Sequence, residues 1–157
     1  MSRTLAAVPL CLALAAALAA APLPARAQAA APAAPTVARA GTLDWHASGD
    51  LPPGAEYHLI YEDPRTHGVE TLVRMPSGYV LPQHEHSADE TILVLKGKVI
   101  LGFGARRETL SPGDYAVIPA GTPFAMTIKG GFFGLGGARF LASFNGPFDV
   151  KLVGAKP

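Results

Sequence analysis

From about residue 41 onward, the chain alternates short runs of β-branched and aromatic residues with glycine and proline. Tyr57–Tyr61, Val69–Met75, Thr91–Leu95, Lys98–Phe103, Tyr115–Ile118, Phe124–Ile128, Arg139–Phe144 and Phe148–Val153 each read as a strand. Between them stand turn signals such as Asp63-Pro64, Pro76-Ser77-Gly78, Lys96-Gly97, Ser111-Pro112-Gly113, Pro119-Ala120-Gly121 and Asn145-Gly146-Pro147. No stretch in this region carries a long helical period. Many short strands at close spacing predict an antiparallel sandwich or a small barrel. Several strands are apolar at both parities: Ile92 and Val94 alternate with Leu93 and Leu95. One face fills the barrel, so the other is expected to meet a second sheet or a second copy of the chain, and a homodimer would account for the excess.

The first 27 residues have a different pattern. Arg3 precedes an Ala/Leu-rich stretch from Leu5 to Ala21, and Ala25-Arg26-Ala27 offers a small-x-small cleavage site. Pro9 interrupts the apolar run and Pro22 ends it, short of the roughly 20 residues that a membrane span needs. Residues 1–27 are therefore expected to be a signal peptide, with an uncleaved anchor as the alternative. The mature protein is expected to be periplasmic or secreted, with no membrane association after cleavage. Residues 28–40 form an Ala/Pro stretch without large apolar side chains and read as a disordered linker. Residues 41–157 are the length of one domain and enough to close one core.

Composition narrows the choices further. The one cysteine, Cys11, lies inside the leader, so an exported mature chain must hold together without a disulfide. Losing Arg3 and Arg26 with the leader reduces thirteen basic side chains to eleven, against twelve acidic ones, and they are interspersed. Nothing in that balance supports nucleic acid as a partner.

The chemistry concentrates at Gly78-Tyr-Val-Leu-Pro-Gln-His84-Glu-His86-Ser-Ala-Asp-Glu90. On an extended backbone His84 and His86 project to the same face. Glu90 shares their parity and rejoins them after a bend at Ser87-Ala88-Asp89. Two neutral imidazole nitrogens and a carboxylate make a ligand set for a divalent transition metal. Buried without a partner, each such polar group would cost roughly 2–7 kcal/mol. Such a set leaves positions open for water, oxygen or substrate, and suits iron, manganese, nickel or zinc.

These residues resemble the first motif of the cupin superfamily, G-x5-H-x-H-x3-E-x6-G, which Gly78, His84, His86, Glu90 and Gly97 meet at every fixed position. The second motif, G-x5-P-x-G-x2-H-x3-N, is met by Gly113, Pro119 and Gly121. Phe124 stands at its histidine and Ile128 at its asparagine. The resemblance implies an all-β fold, a jelly-roll (double-stranded β-helix) cupin barrel. It implies His84, His86 and Glu90 as metal ligands, with Phe124 in place of the fourth. It also aims Phe124, Met126 and Ile128 into the barrel, where Phe124 and Met126 become substrate-pocket residues.

Two functions remain open at this point, and no catalytic residue is assigned. One is an exported metal-dependent enzyme of the oxygenase or isomerase kind acting on a small molecule. The other is a non-catalytic cupin that binds a carbohydrate or an organic acid through a degenerate metal site. His58 is a candidate substitute ligand with a surface imidazole as its blander reading, and His67 is expected on a surface turn. Glu85 and Asp89 read as solvent-facing charges, Gln83 as a weak candidate partner for the ligands, and Arg106-Arg107 as a solvated strand end. The glycine-dense segment 129–139, with Phe132 and Phe133, reads as a loop or hairpin at the barrel mouth.

Overall fold

A computed structural model describes Pro35, residues 37–130 and residues 136–154. The leader, most of the linker, and Phe132 and Phe133 lie outside the described residues. After a 3-10 turn at Ala40–Thr42 come eleven strands: β1 (His46–Ala47), β2 (Glu56–Glu62), β3 (Val69–Met75), β4 (Val80–Glu85), β5 (Glu90–Lys96), β6 (Lys98–Phe103), β7 (Arg106–Leu110), β8 (Tyr115–Ile118), β9 (Phe124–Lys129), β10 (Ala138–Phe144) and β11 (Lys151–Leu152). They form two antiparallel sheets, ordered β1-β2-β3-β10-β5-β8 and β11-β4-β9-β6-β7. Sequence neighbours are repeatedly split between the sheets: β4 lies in one, and β5, which follows it, in the other. This is the antiparallel architecture expected from the strand pattern and the jelly-roll that the cupin resemblance implies.

Alternation builds the core. Ile92 and Val94 of β5, Val99 and Leu101 of β6, Phe124, Met126 and Ile128 of β9, and Phe140, Ala142 and Phe144 of β10 are all buried. Each sheet buries one parity against the other sheet, which is the arrangement that removes most apolar area from water. The opposite parity of the six-stranded sheet carries a continuous apolar row. Tyr115 pairs with Leu93, Leu93 with Leu141, and Leu141 with Leu72. Tyr115 is 69% exposed, with Val117 and Leu95 exposed nearby.

The turn between β5 and β6 needs Gly97 for two reasons. Its φ is +76°, and a Cβ there would stand 2.5 Å from the carbonyl oxygen of Gly137. The structure also differs from the strand pattern at three places. Arg106 and Arg107 open a full strand, β7, rather than ending one. Val80–Glu85, whose even-odd alternation a bulge interrupts, is strand β4. Of the expected strand over 148–153 only Lys151–Leu152 pairs, because Phe148 and Asp149 turn toward His86 instead.

Candidate functional site

His84 reaches the barrel interior through an irregularity. Leu81 opposes Met126, but His84 opposes Phe124, so β4 spends three residues where β9 spends two. The extra residue is a β-bulge at Pro82-Gln83, both exposed, and it returns His84 to the inner face that Leu81 also occupies. Proline suits such a position, since it has no N–H to give to a ladder. His86 follows just beyond the end of β4. The chain bends at Ser87 and Ala88, and Glu90 opens β5 between Phe144 and Ile118 of its neighbouring strands. The site therefore bridges the two sheets. Gly121 of the second glycine-rich turn donates its N–H to the His86 carbonyl at 2.9 Å, tying that turn to the bend.

All three side chains are buried: His84 is 1% exposed, His86 6% and Glu90 4%. The His84 and His86 rings lie 5.0 Å apart between centroids and nearly perpendicular. His84 Nδ1 lies 2.8 Å from the Pro82 carbonyl oxygen, and His86 Nδ1 bonds the Asp149 carbonyl oxygen. A carbonyl oxygen only accepts, so both Nδ1 atoms carry hydrogen. In neutral imidazole that leaves Nε2 as the lone-pair nitrogen on each ring. His84 Nε2 and Glu90 Oε2 are buried without a hydrogen-bond partner. His86 Nε2 stands 3.3 Å from Glu90 Oε2, within Coulombic reach but not aligned as a hydrogen bond.

The two imidazoles titrate apart. Burial, reinforced by the neighbouring His86 and opposed by the Pro82 hydrogen bond, pushes His84 down to about 4. Burial also opposes charge on His86, but the Glu90 carboxylate beside it and the Asp149 carbonyl outweigh that and raise its pKa. At neutral pH His84 Nε2 is thus a bare lone pair, while the protonated form of His86 is favoured relative to a free imidazole.

A divalent cation fits the donor chemistry, and the fit has a limit. Two ligands about 2.1 Å from one ion stand roughly 3.0–3.4 Å apart in octahedral or tetrahedral geometry. The His86–Glu90 separation of 3.3 Å falls in that range. His84 is not closed onto the pair, and among the described residues no three His, Cys, Asp or Glu side chains form a ready cage. Phe124 fills the space beside them, its ring 4.2 Å from His84 and 5.8 Å from His86.

The three groups line a cavity of about 220 Å3 inside the barrel, together with Met75, Met126, Phe140, Phe144 and Phe148. Met126 is thus on the cavity wall. Phe124 is not among the lining residues; it packs behind the imidazoles, fully buried between His84 and Phe103. His58 does not reach the cavity, because its Nδ1–H donates to the Asp44 carbonyl at 2.9 Å. His67 is exposed, with Nδ1 2.9 Å from Glu62 Oε1, and Gln83 is exposed on the bulge.

The end of β10 and the segment after it supply site neighbours that strand patterning did not single out. Phe144 and Phe148 pack their rings 5.1 and 5.9 Å from His86. The Asp149 carboxylate accepts from Ser87 N–H at 2.7 Å and Ser87 Oγ–H at 2.6 Å. Asp89, read from sequence as a solvated charge, accepts from the Ala120 N–H and the Asn145 side-chain amide, both at 2.8 Å. No local signal marks these residues, since every partner lies at least 31 positions away.

Residues 71–131, which run from within β3 past the end of β9, match the family model described as a cupin domain. The chain carries a cupin domain. Beyond that stretch the cupin likeness is one of fold. The chain resembles polyketide cyclase RemF from Streptomyces resistomycificus, 21% identical, with a TM-score of 0.63 over 78% of this chain and 88% of that one. It resembles DMSP lyase DddQ from Ruegeria pomeroyi, 19% identical, with a TM-score of 0.58 over 74% and 64%. KdgF from Halomonas sp. is 20% identical, with a TM-score of 0.56 over 71% and 93%. A curated relative, the DNA damage-repair/toleration protein DRT102 of Arabidopsis thaliana, is 32% identical over 74 residues. That match spans 46% of this cupin chain and 23% of the relative.

Proposed function

We propose that this cupin is a metal-dependent enzyme, of the oxygenase or isomerase kind, acting on a small molecule held in the barrel cavity. The observation that carries the reading is the pair of backbone carbonyls, Pro82 and Asp149, on the two Nδ1–H groups. They orient both Nε2 atoms toward a cavity that also receives Glu90, and such orienting partners are the usual support of metal-ligating histidine. His84, His86 and Glu90 would hold a divalent cation, iron, manganese, nickel or zinc, with His84 turning in to complete the set. Bound there, the ion supplies Lewis acidity and exchangeable positions for a substrate oxygen.

The chain's own residues do the rest. Phe124, Phe144 and Phe148 exclude water around the imidazoles, which strengthens every charge interaction at the site. The Glu90 carboxylate beside His86 Nε2 favours its protonated form relative to a free imidazole, so a proton there competes with the cation. Two of the neighbours in fold carry enzyme names, a cyclase and a lyase, which supports turnover over storage. The competing reading, binding without turnover, draws on Phe124 in the place of a fourth ligand.

Elemental analysis after reconstitution with each of the four metals tests the reading. About one ion per chain is expected in the wild type, with loss in His84→Ala and Glu90→Ala. Near-zero occupancy with all four would remove the enzyme case. The proposal includes export to the periplasm or medium, on the strength of the leader pattern. It also includes a homodimer through the Tyr115–Leu93–Leu141–Leu72 row. Light scattering of wild type against Leu93→Lys checks the dimer, with a monomeric wild type as the contrary result.

A further inference from the structure

We infer that the cavity selects ligands with one oxygen-bearing head group on an otherwise apolar body, and rejects polyhydroxylated or multiply charged molecules. The distribution of polarity around the cavity carries this. Among the described residues, four polar side chains are buried, Thr71, His84, His86 and Glu90, and all four line the cavity. The Thr71 hydroxyl is already committed, donating to the His58 carbonyl at 2.9 Å. What remains is one grouping: the two Nε2 atoms and the Glu90 carboxylate. The rest of the buried wall is hydrocarbon, thioether and aromatic ring, including Val73, Met75, Leu81, Met126 and Phe140.

Charge points the same way. Among the described residues no lysine or arginine lines the cavity, whereas Asp50, Glu56 and Glu90 do. Glu56 is neutralised from outside by Arg74, at 2.7 and 2.9 Å, and that guanidinium does not reach the cavity. A second anionic group on the ligand would therefore meet no counter-charge. Each hydroxyl laid against this wall loses its water without a replacement, on the order of tenfold or more in affinity. A cavity of about 220 Å3 lies at the small end of organic-ligand sites, so the body is on the order of ten non-hydrogen atoms. The carbohydrate alternative open in the sequence does not suit this wall. The head-group half of the inference rests on the metal-site reading, while the apolar-body half rests on the wall alone.

The test is calorimetric titration of the full chain, metal-free and after incubation with Mn2+, with three probes of similar size. 2-Hydroxyacetophenone has one chelating oxygen edge and an aromatic body, phthalate carries two charges, and galacturonate is a polyhydroxylated acid. 2-Hydroxyacetophenone is expected to bind at least tenfold more tightly than either of the others. Leu51→Arg, at the half-buried rim, is expected to narrow the phthalate gap about tenfold while leaving the ketone nearly unchanged. Phthalate or galacturonate binding as tightly as the ketone overturns the inference, as does no ketone binding at millimolar concentration. Ketone selectivity without Mn2+ uptake would defeat the metal reading and leave the apolar-body inference standing. Mn2+ uptake without selectivity would do the reverse.

Discussion

The Nδ1–H of His86 is held by the backbone carbonyl of Asp149, a residue 63 positions further along the chain. The same residue's carboxylate grips the bend after His86 through Ser87 N–H and Oγ–H. One residue thus sets both the tautomer of a candidate ligand and the path of the chain leading to Glu90.

Asp149→Ala is therefore expected to act on the site as well as on stability. Two hydrogen bonds to a carboxylate near the surface are worth about 1–2 kcal/mol together. The substitution keeps the backbone carbonyl on His86 and loosens only the bend at Ser87, so the loss of metal affinity is expected below the roughly 10–100-fold that losing an orienting partner costs. Urea unfolding and a chelator-competition titration measure the two effects. Lys151→Ala, which removes an exposed ion pair to Asp149 and the ammonium's hydrogen bond to Ser87 Oγ but leaves the Asp149 carboxylate on Ser87, should change stability by less than about 1 kcal/mol. Equal effects of the two substitutions would refute the role given to Asp149.

Phe124 stands opposite His84 in the β4–β9 ladder, its ring against the imidazole. Phe124→His places a third imidazole nitrogen, and so a fourth ligand, there and is expected to raise divalent-metal affinity on the order of tenfold or more. Phe124→Ala is the control. It should cost about 3–5 kcal/mol as a large-to-small change in a filled core, with no gain in affinity. An unchanged affinity for Phe124→His in a folded protein would show that this position does not address the ligands.

The metal-free protein should be most stable near pH 6.5. His84 has a folded-state pKa of about 4 against 6.5 for the free side chain, so below pH 6.5 the unfolded chain binds the extra proton. Its contribution is full above pH 6.5 and is lost as pH falls toward 4, at most about 3 kcal/mol. His86 runs oppositely: its raised pKa gives stability that is full below 6.5 and lost as pH rises through the folded value. Denaturation at a series of pH values should trace this dome, and His84→Gln should flatten its acid side. Metal affinity should rise with pH as the His86 proton leaves.

Gly97→Ala should destabilise the fold without touching the site. The positive φ alone costs roughly 1–3 kcal/mol for a residue with a Cβ. The 2.5 Å approach to the Gly137 carbonyl adds to it, because both partners are backbone. Thermal unfolding would show a drop of several degrees, and metal affinity per folded molecule should be unchanged.

The strands and the ligand candidates were legible from local pattern, because alternation and turn chemistry act within a few residues. Val69–Met75, Lys98–Phe103 and Tyr115–Ile118 match the structure residue for residue. Arg106–Leu110 was less clear, since a charged edge strand lacks an apolar face. Phe124 could be named as a departure from the cupin pattern, but its place behind the imidazoles, off the cavity wall, depends on the bulge in β4 and on Phe103.

From its sequence alone, then, this protein has an alternating β pattern, a histidine-rich motif on one parity and no cysteine after Cys11. Those follow from the periodicity of an extended chain, in which neighbours determine the faces. Only the tertiary structure decided that His84 and Glu90 line one cavity from two sheets, that Pro82 and Asp149 turn both Nε2 atoms toward it, and that the wall around them is apolar. The Asp149–His86 bond and the cavity wall join residues tens of positions apart, and burial of the two sheets against each other is what brings them together.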